Sequence, residues 1–277
     1  MNSQPVRTIA VTGGKGGVGK TNVSVNLALA LAKSGKSVLL MDADLGMANV
    51  DVMLNLKHER DLSHVINGEC ELKDIIIEGP GGLGIVPASS GIGKMAELST
   101  AEQAGLVHAF SDLSRMVDAL IIDTAAGVPP SVITFSKACQ EIVVVICDEP
   151  ASITDAYALI KVLNKEHGVR RFQILANMVT SPEQGRALYA KLVNVADMYL
   201  DASIGYLGIV PQDERLRDAV RAQMPVTEKF PNSAASIAFQ RLAKTVNELP
   251  FHPPTNGYLE FYVERVAGQN NTIAGTV

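Results

Sequence analysis

Tryptophan is missing from this chain, aromatic residues make up only 5% of it, and cysteine occurs just three times in 277 residues. The 47% of the sequence that is hydrophobic is therefore overwhelmingly aliphatic, enough for a buried core in one large α/β domain or two small ones. Cys70, Cys139 and Cys147 show no CxxC or other metal-ligand spacing. That excludes a disulfide framework or a zinc module and points to reduced, buried small hydrophobes in a cytosolic protein. A surplus of positive charge is also lacking. The net charge of -5 argues against a surface built for unspecific nucleic-acid binding. Apolar runs such as Ile142 to Cys147 fall far short of the roughly 18 residues a spanning helix needs. The polar start, MNSQPVR, has no apolar h-region and so does not read as a secretory signal.

What is present is an alternation of short β-branched runs with longer helical patterns. Strands are expected at Thr8–Thr12, Ser37–Asp42, Leu83–Pro87, Ala119–Asp123, Ile142–Cys147, Phe172–Asn177 and Tyr206–Val210. Helices are expected at Asn22–Ser34, Thr100–Met116, Ile153–Glu166, Pro182–Leu200 and Ala234–Leu249. Several strands are apolar throughout, as suits strands buried on both faces of a parallel sheet. The alternation implies right-handed crossovers and a doubly wound, mostly parallel α/β sheet flanked by helices in a single domain. That domain spans residues 1–249. "LPFHPPTNG" then stops the last helix, giving a Pro-rich linker over 250–257. An amphipathic helix over 258–267 and a polar, disordered tail over 268–277 complete the expected organisation.

The chemistry starts at "TGGKGGVGKT". Gly14-x-x-x-x-Gly19-Lys20-Thr21 is a Walker A pattern between a strand and a helix, which makes the fold class a P-loop NTPase. Glycines let successive backbone N–H groups converge on phosphate oxygens, and the helix from Asn22 adds its dipole. Lys20 should reach the β- and γ-phosphates and the Thr21 hydroxyl should ligate Mg²⁺. A chance match in such a chain is on the order of one in a hundred before the strand–helix context is counted. The implied cofactors are ATP and Mg²⁺, cradled by Gly14, Lys15, Gly16, Gly17, Val18, Gly19, Lys20, Thr21 and Asn22.

The string from Lys15 through Thr21 resembles the deviant Walker A motif of the MinD/ParA ATPases. In that family the earlier signature lysine, here Lys15, crosses a dimer interface to the partner's nucleotide. The resemblance runs from about Val6 to Leu249 and implies further roles. In "LLMDADLGMANVD", Asp44 matches the carboxylate that orients the attacking water, with Asn49 near the interface. Asp42, at the same strand end, is the alternative for the catalytic role, although its place one residue closer to the strand favours a structural or magnesium-shell one. In "LIIDTAAG", Asp123 would face Mg²⁺ through water and Gly127 would meet the γ-phosphate. Asn177 resembles the adenine-reading asparagine, while Pro211 and Asp213 would wall the purine. Glu149 and Asp155 match interface positions, where one of them can pair with the signature lysine.

Cysteines that would hold a shared iron–sulfur cluster are absent, which sets aside the nitrogenase iron-protein branch. The segments "DADLGMANVDVML" and "CDEPASITDAYALIKVLN" resemble instead the flagellar-number regulators of the FlhG/FleN branch. That implies a homodimer when ATP is bound, and partners among the flagellar transcription activator, the FlhF GTPase and C-ring proteins. The short N-terminal segment by which many of these proteins stimulate FlhF is not seen in this sequence. A cell-division positioning ATPase and a chromosome or plasmid partition ATPase are the alternatives, the acidic balance weighing against the second. The resemblance places a membrane-targeting helix at 258–267, hence a cytoplasmic protein with ATP-dependent peripheral association with the inner membrane.

Overall fold

The computed structural model describes residues 5–44, 49–87, 99, 102, 105, 106, 109, 110, 112, 113 and 116–251. Eight strands form one sheet: β1 (Arg7–Gly13), β2 (Val38–Ala43), β3 (Ile77–Glu78), β4 (Gly84–Val86), β5 (Ala119–Ala126), β6 (Glu141–Ile146), β7 (Arg171–Val179) and β8 (Ser203–Pro211). Their order is β3-β4-β2-β5-β1-β6-β7-β8. Every pairing is parallel except the short β3–β4 edge. The chain leaves β1 for β2 on one side and later returns to fill β6, β7 and β8 on the other. β1 therefore lies at the reversal of strand order, where open α/β sheets bind ligands at their C-terminal ends.

The strands that read as unbroken apolar runs are divided between two cores by their period of two. Val38 and Leu40 of β2, Ala119 and Ile121 of β5, and Val143 and Val145 of β6 face one layer. Leu39 and Met41, Leu120 and Ile122, and Ile142, Val144 and Ile146 face the other. The first layer is covered by α1 (Lys20–Lys33) and the last long helix, Ala234–Glu248, whose Phe239 and Leu242 are buried there. On the opposite face lie Pro130–Lys137, Pro150–Lys165 and Pro182–Tyr199. Each fully buried aliphatic side chain contributes about 1.5–3 kcal/mol, so this three-layer sandwich needs no large aromatic core.

The expected strands and long helices appear with ends shifted by a few residues, as for helix Pro150–Lys165 against an expected start at Ile153. Proline at the first helical position begins that helix three residues earlier than its apolar periodicity does. For the expected helix Thr100–Met116, the described residues 102, 105, 106, 109, 110 and 112 are helical, and the remainder lies outside the described residues. The edge strand β3 and the short helices Val50–Met53, Leu62–Ile66, Glu214–Arg221 and Val226–Lys229 carry too few residues for a periodic signal. The helix expected at 258–267 and the tail at 268–277 lie outside the described residues. No described helix is long and apolar enough to cross a membrane.

One polar contact locks the first layer. Asn26, 1% exposed in α1, donates to the Asn22 carbonyl at 2.9 Å. Its Oδ1 accepts from both the backbone N–H and the hydroxyl of Thr227, each at 3.1 Å. Asn26→Ala would leave those donors unpaired beside a small cavity. It should lower the free energy of unfolding by about 2–3 kcal/mol in urea denaturation.

Candidate active site: the phosphate loop and two buried aspartates

Sequence spacing delivers the loop between β1 and α1 to the C-terminal edge of the sheet, and packing then decides which residues it tolerates. A Cβ on Gly14 would fall 2.1 Å from the carbonyl carbon of Asp155 and 2.5 Å from the Ala156 nitrogen. Backbone atoms cannot swing away, so only glycine fits where helix Pro150–Lys165 crosses the loop. Gly19 has φ +88° and forms the N-cap of α1. Unlike Pro182–Tyr199 and Glu214–Arg221, α1 has no acidic residue in its first turn and no side-chain cap. Its first N–H groups and positive dipole end are thus left to an anion.

The two lysines of the loop have different surroundings. Lys20 is 9% exposed, and burial pushes its pKa down against the pull of Asp123 and Asp44. Lys15 stands at the rim with 38% of its side chain exposed and forms an ion pair with Glu149. Glu149 raises the Lys15 pKa by hydrogen bond and charge, and Asp155 adds a smaller pull. Of the two expected interface acids, Glu149 is therefore the one bonded to Lys15 within the chain.

Asp42 and Asp123 are register partners on β2 and β5, each 1% exposed. Burial raises Asp123 to about 7, with the charge of Asp42 adding to it, while Thr21, Ser24 and Lys20 pull the other way. The Ser24 hydroxyl donates to Asp123 Oδ1 at 2.8 Å. Burial likewise raises Asp42 to about 6 against three backbone hydrogen bonds. Those bonds come from the N–H groups of Asp44 (3.0 Å), Asn49 (2.8 Å) and Val50 (3.0 Å). Asp42 thus ties the end of β2 to the start of helix Val50–Met53. Asp44 is half-buried, with its backbone N–H bound to Asp42.

The donor set fits Mg²⁺. The Thr21 hydroxyl and the Asp123 carboxylate are hard oxygen ligands, and the paired buried carboxylates form a negative centre that a divalent cation relieves.

Two other predicted residues, Gly127 and Asn177, touch the same loop. The Gly127 N–H donates to the Gly13 carbonyl at 3.0 Å, tying the end of β5 to the phosphate loop. Asn177, 5% exposed, donates from Nδ2 to the Val18 carbonyl at 2.8 Å, braced against Gly19. Pro211 ends β8 beside Val179 of β7. Asp213 accepts from Arg215 N–H (2.8 Å) and Ala235 N–H (2.9 Å), capping two helix starts with one carboxylate. Its expected place by a purine is thus accompanied by a structural task that composition did not announce. Asn49 is exposed, and Asp155 is half-buried. Ser24 was missed by motif reasoning. Its signal was its place one helical turn after Lys20, on the face of α1 that meets β5.

A strand–loop–helix phosphate cradle at the switch point of a parallel sheet, with a strand-end aspartate beside it, defines a P-loop nucleotide hydrolase. The chain matches the CobQ/CobB/MinD/ParA nucleotide binding domain (CbiA) over residues 9–226 and belongs to that family. It is an ATPase of the MinD/ParA type, with ATP and Mg²⁺ as its cofactors. It is 57% identical over 262 residues to the antiactivator FleN of Pseudomonas aeruginosa, covering 95% of this chain and 94% of that one. The flagellum site-determining protein YlxH of Helicobacter pylori is 35% identical, with 87% and 82% covered. Among solved structures, the septum site-determining protein MinD of Pyrococcus horikoshii, complexed with Mg-ADP, aligns with a TM-score of 0.73 at 25% identity. That alignment covers 88% of this chain and 97% of that one.

The buried aspartates make a pH prediction. A carboxylate with its native pKa raised above the unfolded value binds more protons when folded. Its contribution is full below about pH 4 and is lost as pH rises through about 7 for Asp123. Asp123→Asn keeps the shape and removes the charge. Without nucleotide and Mg²⁺, this variant should melt at a higher temperature than the parent at pH 8, and the difference should shrink toward pH 4. Thermal unfolding followed by circular dichroism across that range checks it.

Proposed function

We propose that the protein is an ATP-dependent dimerisation switch that restrains flagellar number and placement. The observation that carries the switch is the position of Lys15. It stands exposed at the rim, bonded to Glu149, while Lys20 alone occupies the buried phosphate position. A lysine so placed can exchange its intramolecular partner for a nucleotide held by a second copy. Asp44 orients the attacking water, and Asp42 holds the loop that carries Asp44. Lys20 and the loop N–H groups bind the phosphates, Thr21 and Asp123 hold Mg²⁺, and Asn177 with Pro211 and Asp213 receives the adenine.

The flagellar role is supported by the 57% identity to a protein named an antiactivator and by the flagellum site-determining relative. On this reading the ATP dimer restrains the flagellar master transcription activator and engages FlhF and C-ring proteins. Hydrolysis releases them. The amphipathic segment 258–267 brings the dimer to the inner membrane by its apolar face, two weak anchors together gaining from effective concentration.

Light scattering with a non-hydrolysable ATP analogue tests the switch. Lys20→Ala should lose ATP binding altogether. Lys15→Ala should bind ATP yet remain monomeric, and a normally dimerising Lys15→Ala would return that lysine to a solvated loop charge. Asp44→Ala should bind ATP and persist as a dimer, with turnover lowered at least about 100-fold. Expression in a polarly flagellated strain lacking its own FleN-type regulator tests the biology. The parent should restore the normal flagellar count and Lys15→Ala should not. Failure of the parent, with ATPase activity intact, would argue for a division or partition role instead.

A further inference from the structure

Gln184 makes more hydrogen bonds than its place in a helix requires. It is the third residue of helix Pro182–Tyr199, whose N-cap, Ser181, accepts from the Gln184 N–H at 3.2 Å. Gln184 Oε1 accepts from the Thr180 N–H at 2.6 Å and from the Thr180 hydroxyl at 2.9 Å, which completes the helix start. Its Nε2 has no part in that task, yet it donates to Asp148 Oδ2 at 2.6 Å, 36 residues away in sequence. An amide-to-carboxylate bond is charge-assisted and stronger than a neutral one.

Asp148 adjoins Glu149, the acid that holds Lys15. The turn carrying both is bonded to itself. The Glu149 N–H donates to the Cys147 carbonyl at 2.8 Å, and the Ser152 N–H donates to the Glu149 carbonyl at 3.0 Å. Glu149 has an extended backbone (φ -130°, ψ 132°), in which neighbouring side chains diverge, and here Asp148 goes to Gln184 while Glu149 goes to Lys15. Asp148, Glu149 and Pro150 are all exposed, so packing does little to fix the turn and the bond from Gln184 anchors it. We propose that Gln184 is a positioning residue for the Lys15–Glu149 pair, a brace that keeps Lys15 on its own chain until a second, nucleotide-loaded copy displaces it. The inference rests on the dimerisation switch given under the proposed function. A lysine held in this way is available to a second copy only in the fraction of molecules where the pair is open, and the apparent affinity for the partner falls with that fraction. A well-placed Glu149 therefore raises the protein concentration at which ATP dimers form. Asp155 pulls on Lys15 more weakly than Glu149 does, so the placement of Glu149 sets the threshold.

Sedimentation equilibrium of the full chain with Mg²⁺ and a non-hydrolysable ATP analogue measures the dimer Kd and tests the brace. Gln184→Glu keeps an oxygen for Thr180, and so the helix start, but sets a carboxylate against Asp148. Asp148→Ala removes the same bond from the other side. The two variants change the local charge in opposite senses, so a shared effect belongs to the lost bond. Each should lower the dimer Kd about 3- to 10-fold and bind Mg-ADP as a monomer within about 2-fold of the parent. Glu149→Ala should lower the Kd at least as far, and Gln184→Glu added to it should change nothing further. A parental Kd in either brace variant, shifts of opposite sign, a raised Kd in Glu149→Ala, or an effect of Gln184→Glu that persists without Glu149 overturns the proposal. Lys15→Ala separates the two ways of failing. If it dimerises like the parent, the switch reading fails and the inference with it. If it stays monomeric while Gln184→Glu keeps the parental Kd, the switch stands and Gln184 is only a helix cap.

Discussion

Two carboxylates buried side by side at the end of a sheet demand compensation, and much of the site is organised around supplying it. Asp42 and Asp123 face each other across β2 and β5 with almost no access to solvent. An uncompensated pair of this kind costs several kcal/mol. Asp42 draws three backbone N–H groups from the segment that follows β2. Asp123 draws Ser24 and Thr21 from α1 together with the charge of Lys20. A divalent cation held there would relieve the remainder. The same electrostatic demand therefore links the phosphate loop to the segment carrying Asp44.

Packing imposes the second constraint. β1 is flanked by β5 and β6, and the phosphate loop leaves it into a space bounded by backbone from several other elements. Helix Pro150–Lys165 presses on Gly14, Asn177 of β7 presses on Gly19, and Gly127 after β5 bonds to Gly13. These contacts hold the loop in place through residues distant in sequence, and preorganisation of that kind aims the N–H groups at phosphate without reorganisation during the reaction. Lys15 escapes the enclosure because the loop is open at its rim, where Glu149 is its partner.

Much of this was legible in one dimension because the signals are local. A Walker A string between an apolar strand and a helix specifies an anion site by backbone geometry alone. All-apolar strands alternating with helical patterns specify a parallel sheet covered on both faces. The resemblance singles out Asp44, Asp123 and Asn177 as candidates, and all three stand near strand ends, which in such a sheet gather at one edge. Ser24 could not be singled out, since a serine inside a helix acquires meaning only when β5 lies against it. Asp213 reads as a loop acid in sequence, yet in space it caps two helices that begin 20 residues apart.

The choice between Asp42 and Asp44 shows where the boundary falls. Both aspartates sit at the same strand end, and spacing alone favoured one without excluding the other. Tertiary structure sets them apart, because Asp42 is drawn into the sheet and bonded by three N–H groups while Asp44 is only half-buried. Likewise, Met178 is an unremarkable residue in "ILANMV" until the register of β7 on β8 makes it a bulge with a left-handed backbone. The sequence by itself determined the layered α/β architecture, the phosphate cradle and the two lysines, because periodicity and glycine spacing act over a few residues. Only the tertiary structure decided which aspartate is buried, which acid holds Lys15 and which side chain the bulge turns outward. Burial, register and close approach are properties of elements brought together from far apart in the chain.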